Sequence, residues 1–140
     1  MNAKDYLSKI KTDREHIQRL KQRKESIGME YNGITGIDYT RERVQKSYSN
    51  AIESAAWGML ERLEQIDKDI VNITLDIDRK LSEIETLENG IYVQILFMQY
   101  SENKNLKEIA EIMGYDYKYV CKLNGDALRA FEKMYLKELA

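Results

Sequence analysis

The 140-residue sequence contains no proline. Proline removes a backbone donor and breaks helix interiors, so its absence leaves helical segments free to run long. Cysteine occurs once, at Cys121, which excludes an intrachain disulfide. With no second cysteine to resolve an oxidised form, Cys121 reads as a tolerated thiol and not as a redox sensor. Histidine also occurs once. His16 lies on a charged helix face with no second histidine or cysteine nearby, so it reads as solvated and no metal is expected. No stretch approaches the roughly 18 to 20 apolar residues needed to span a bilayer, and the opening "MNAKDYLSKIK" lacks the apolar run of a signal peptide. The expectation is a cytoplasmic protein without membrane contact. Nucleophile and base pairings, glycine-rich phosphate loops and metal-ligand spacings are all missing, so neither an enzyme nor a cofactor is expected.

What is abundant is charge, at 33% of residues, alongside 43% apolar residues. That is enough for one ordinary core, or for a small domain attached to an extended element. The net charge of −2 hides an uneven distribution. Residues 1 to 25 hold eight Lys/Arg against four Asp/Glu, residues 52 to 88 hold four against ten, and residues 89 to 140 hold seven of each. Gly28, Gly33 and Gly36 cluster in one place, which suits long helices separated by one flexible break. The fold class expected is all-α.

Between residues 52 and 88 the apolar positions Ile52, Ala56, Met59, Leu63, Ile66, Ile70, Ile73 and Ile77 are spaced alternately four and three apart. That is a heptad seam, and Leu81, Ile84 and Leu87 continue it after a register shift. A helix over 50 to 88 would run close to 60 Å and needs a partner. Tyr6, Leu7, Ile10, Ile17, Leu20 and Ile27 supply a weaker stripe over residues 3 to 27, whose basic face suits the acidic second helix. The expectation is a long antiparallel, coiled-coil-like helical hairpin over residues 1 to 89, with a loop over about 28 to 49 and Trp57 as an apolar anchor. Any uncovered seam would bring in a second copy, giving a homodimer through the N-terminal helices. The loop residues Arg41, Arg43 and Lys46, beside Tyr39 and Tyr48, are available to DNA, RNA polymerase or the partner chain, or form an ordinary solvated loop.

Asn89-Gly90 reads as a helix stop, after which the apolar pattern changes from a seam to a compact cluster. Residues 90 to 140 are expected to form a separate module with helices near 91–100, 105–113 and 116–135. Numbered from Leu106, this segment meets the requirements of a helix-turn-helix. The small Ala110 stands at position 5, where the helices cross, and Gly114 stands at position 9, where the turn needs φ > 0. Ile109, Met113, Tyr115, Val120 and Leu123 fill the interlocking apolar positions. Asp116 stands where it can cap the second helix. With Val120 and Leu123 inward, Tyr117, Lys118, Cys121 and Lys122 are expected outward, with Tyr119 at the border. In such a motif the second helix enters the major groove, where lysine reaches phosphates or guanine acceptors and tyrosine reaches phosphate or a thymine methyl. Lys104 and Lys107, before and within the first helix, are candidates for backbone phosphate contact. Arg129 and Lys133 follow on the last helix.

This segment resembles region 4 of the bacterial sigma-70 family, matching it without gaps through "LKEIAEIMGYDYKYVCKLNGDALRAF". With the helical N-terminal half and "RVQKS" at residues 43 to 47, the chain looks like a phage regulator of the RinA/ArpU kind. The resemblance implies a DNA-binding transcriptional regulator of late genes, working on the nucleoid of a bacterial host cell. Its partners would be double-stranded DNA and, beside it, RNA polymerase. The base-reading positions of region 4 fall on Tyr117, Lys118, Cys121 and Lys122, where sigma factors carry arginine, glutamate and glutamine, so a −35 element is not the implied target. The alternative expectation is a protein-interaction module that binds RNA polymerase or another regulator with little DNA contact.

Overall fold

The computed structural model describes the backbone of residues 2–35 and 45–136, and the side chains of residues 2–32 and 50–136. Among these residues the chain is all-helical, with no strand. Five α-helices follow one another: α1 (Ala3–Thr35), α2 (Gln45–Glu85), α3 (Gly90–Leu96), α4 (Leu106–Met113) and α5 (Tyr117–Phe131). α3 and α5 each run on into a π-helical turn, Phe97–Ser101 and Glu132–Leu136. The chain divides into two compact units, one of Met1–Glu15 with Leu75–Ala140 and one of His16–Thr74. Both boundaries run through the long helices.

α1 and α2 are longer than their sequence patterns imply. The loop expected over about 28 to 49 is helical at 28–35 and 45–49, and only residues 36–44 of it lie outside the described residues. Gly28 does not stop α1. A glycine inside a helix costs about 1 kcal/mol, which the burial of Ile27 one residue earlier offsets. At its other end α2 stops at Glu85, before the expected Asn89-Gly90 signal. Asn89 has a different role, capping α3 by accepting a hydrogen bond from the Ile91 N–H at 2.9 Å.

In the unit His16–Thr74 the heptad seam is covered from within the chain. Leu20 and Ile27 of α1 are buried with Ile66 of α2, and Met59, Leu63, Ile70 and Ile73 pack around them. Lys24 and Asp67 add an ion pair at 2.7 Å, about half exposed on each side, which contributes under about 1 kcal/mol. Trp57 is not an anchor here; it is 62% exposed on the far side of α2. Its position in the heptad explains this, since it lies two residues before Met59 and so off the seam.

In the other unit the first turns of α1 pack with the end of α2 and with the C-terminal helices. Ala3, Leu7, Ile10, Ile84, Leu96 and Phe131 are all buried. The Tyr6 hydroxyl donates to the Glu83 carboxylate at 3.0 Å, and the Tyr6 ring lies under the Lys80 ammonium at 4.9 Å. Lys80, itself buried, pairs with Asp76 at 3.2 Å and Asp13 at 4.0 Å. The Arg14 guanidinium donates to the Ser101 carbonyl and to its hydroxyl, tying α1 to the turn after α3.

Candidate nucleic-acid interface

The C-terminal helices are built by local signals that agree with one another. Asn105 opens α4 by accepting from the Glu108 N–H at 2.9 Å. Gly114 closes it in the left-handed conformation, at φ 70° and ψ 27°. The Gly114 N–H donates to the Glu111 carbonyl and the Tyr115 N–H to the Ala110 carbonyl, which satisfies two otherwise free helix-end acceptors. Asp116 takes the N-cap position of α5 with extended backbone, but its side chain makes no capping bond; its contribution is the carbonyl that accepts from Val120 N–H at 3.0 Å.

The crossing of α4 on α5 is held by Ile109, Ala110, Val120 and Leu123, buried together with Ile95 of α3. Ile91, Tyr92, Met98, Leu106 and Met113 pack around that cluster. Ala110 lets the backbones approach because it carries only a methyl group. Tyr115, expected in this core, lies outside it at 38% exposed. The turn at Gly114 sends its ring against Tyr119 instead, edge to face at 5.5 Å and 82°.

α5 therefore has one dry side and one wet side. Val120, Leu123, Ala127 and Phe131, spaced three, four and four apart, are buried. Lys118, Lys122 and Arg129 are exposed, and with Gly125 between them they follow a four, three, four spacing along the opposite side of the helix. Tyr117 and Tyr119 flank this basic line, 45% and 48% exposed. Tyr117 is hydrogen-bonded to Cys121 one turn on, which pushes its pKa above the ordinary tyrosine value. Cys121 is half-covered and not fully outward.

The remaining candidates differ in availability. Lys107 is exposed in the first turn of α4. Lys104 precedes that helix and is already paired with Glu102 at 2.8 Å, so a phosphate would have to displace a carboxylate. Arg129 is paired with Asp126 on its own helix. Its place in line with Lys118 and Lys122 was readable from the four and seven residue spacing, a signal stronger than residue type alone. Among the described residues no group of acids, histidines or cysteines could hold a metal ion, and no helix is long and apolar enough to cross a membrane. No family model matches the chain, and no curated protein or solved structure matches it.

Proposed function

We propose that this chain is a DNA-binding transcriptional regulator, phage-encoded and acting on late-gene transcription, in which α4 and α5 form a helix-turn-helix. In this reading the N-terminal helices form a hairpin that holds a second copy, and the molecule works on the nucleoid of a bacterial host. One observation carries it: Lys118 and Lys122 stand on the solvent side of α5, in line with Arg129 and flanked by Tyr117 and Tyr119, directly opposite the buried side. A helix presented in this way can lie in the major groove with its lysines on phosphates or guanine edges. Lys107 and Lys104 would then hold the backbone near the start of α4. Cys121, half-covered behind Tyr117, reaches bases less well than its neighbours. The C-terminal segment has seven basic and seven acidic residues, so one copy binds weakly and two linked copies raise the effective concentration of the second contact.

The test is a gel shift and footprint over a salt series with phage DNA. Lys118→Ala with Lys122→Ala should abolish the specific complex and leave the far-UV spectrum unchanged. Each lysine lost from a phosphate contact should lower the slope of affinity against salt by about one. A footprint unchanged in the double variant would sink the assignment.

A second reading, in which this module docks on RNA polymerase or another regulator with little DNA contact, is favoured by Ile112. This α4 side chain is 53% exposed, and an apolar side chain turned to solvent suits a protein partner better than phosphate. Polymerase capture that persists in the absence of any DNA complex would select it.

A further inference from the structure

α2 carries two apolar stripes on different sides. The first is the heptad seam already covered by α1. The second consists of Trp57, Leu60, Val71 and Leu75, which are 62%, 39%, 54% and 60% exposed. With Glu64 and Lys68 in the intervening turns, the six positions are spaced three, four, four, three and four apart, a single line along the helix. One exposed leucine needs no explanation, but four large apolar side chains in one register do.

We propose that this second stripe is the interface between two copies of the chain, packed antiparallel about a two-fold axis level with Ile66. A two-fold interface must be its own complement when reversed, and this stripe is. Counted from Ile66, Trp57 and Leu75 lie nine residues to either side, Leu60 and Val71 six and five, and Glu64 and Lys68 two. Reversal sets Trp57 against the partner's Leu75, Leu60 against the partner's Val71, and Glu64 against the partner's Lys68. The same operation makes the charged contact twice. Parallel pairing would instead set glutamate on glutamate and lysine on lysine, so charge decides the orientation. Within one chain Lys68 and Glu64 meet at 3.5 Å with their side chains 64% and 70% exposed, which leaves both free to turn toward a partner. Trp57 supplies the large apolar surface that interfaces concentrate at their anchors.

The proposal relocates the homodimer contact from the seam expected over Ile52 to Ile77 to the opposite side of the same helix. It does not depend on DNA binding, and its test uses the full chain without DNA. Sedimentation across a micromolar concentration series should show reversible dimerisation, with the emission of the single tryptophan shifting to the blue in step. Val71→Glu should weaken association at least about tenfold while leaving the far-UV spectrum of the folded chain unchanged. Glu64→Lys and Lys68→Glu should each weaken it, and the two together should restore it. In a Cys121→Ser background, Trp57→Cys combined with Leu75→Cys should oxidise to a covalent dimer, while neither alone does. Within one chain those positions lie about 27 Å apart and cannot bridge. A monomer throughout the series, a dimer indifferent to Val71→Glu, or cross-linking by either cysteine alone would overturn the proposal.

Discussion

The backbone N–H of Tyr115 donates to the carbonyl of Ala110 at 3.0 Å, closing α4 over Gly114. The closure holds Gly114 at φ 70°, where a β-carbon would meet no neighbour within 4 Å. A side chain there is therefore penalised by conformation and not by crowding. Gly114→Ala should lower unfolding stability by about 1 kcal/mol. Gly125→Ala should do the reverse and raise it by about 0.5 to 1 kcal/mol, because Gly125 is mid-helix and its β-carbon would meet only the Arg129 guanidinium at 3.8 Å. Urea unfolding followed by circular dichroism measures both. Shifts of the same sign at the two glycines would contradict the backbone geometry of the turn.

Lys80 and Lys68 make ion pairs on the same helix, yet they should matter very differently. Lys80 is 3% exposed, between Asp76 and Asp13 and over the Tyr6 ring. Its loss leaves the partly buried Asp13 without its cation, leaves Asp76 to Arg79 alone, and removes the packing of the lysine's methylene stem. Lys80→Ala should cost about 3 kcal/mol, while Lys68→Ala, measured in the dilute monomer, should cost less than about 0.5 kcal/mol. Equal midpoints for the two variants in urea would show that the Lys80 cluster contributes nothing special.

Burial, reinforced by the hydrogen bond to Glu83, pushes the Tyr6 phenol from 10.0 to about 12. Burial alone does the same to Tyr100. The folded chain thus keeps these protons over a range in which the unfolded chain releases them. Their contribution to stability is whole below pH 10 and is lost as pH rises toward 12. Tyr6→Phe should make the decline of stability across that interval shallower. In a phenolate absorbance titration it should also remove one of the late-ionising groups among the ten tyrosines. Loss of a group that ionises near pH 10, with the late-ionising groups intact, would place Tyr6 in ordinary solvent.

Glu102 competes with any phosphate for Lys104, which it holds at 2.8 Å. If Lys104 joins the proposed DNA contact, Glu102→Gln should tighten binding and steepen the salt dependence by about one. The gain should vanish when Lys104→Ala is added. A salt slope indifferent to Glu102→Gln would remove Lys104 from the interface and leave the contact to Lys107 and α5.

Much of the C-terminal half was legible from short-range rules. Gly114 and the spacing of Val120 and Leu123 each specify backbone or burial within a few residues, so the turn after α4 and the wet side of α5 follow from the sequence. α5 runs on through Asn124-Gly125, a pair that often ends a helix. Residue type suggests a core position for Tyr115, whereas the direction of its side chain is set by the turn it leaves. The glycine cluster suggests a longer loop than the chain has, because packing beside Gly28 keeps α1 going to Thr35. A tryptophan beside Gly58 at the start of the seam suggests an anchor, but nearness to a seam does not say which side of the helix is covered.

The sequence by itself determined that the chain is helical, where the C-terminal helices begin and end, and which side chains of α5 share a side. These follow from hydrogen bonding and periodicity within one or two turns. Only the tertiary structure decided what lies against each stripe. It seats Leu20 and Ile27 on the heptad seam, leaves Trp57, Leu60, Val71 and Leu75 in solvent, and joins Tyr6 to Glu83 across 77 residues of chain. Periodicity specifies that a stripe must be buried but carries no information about its partner, because that choice depends on which distant segment reaches it first in space.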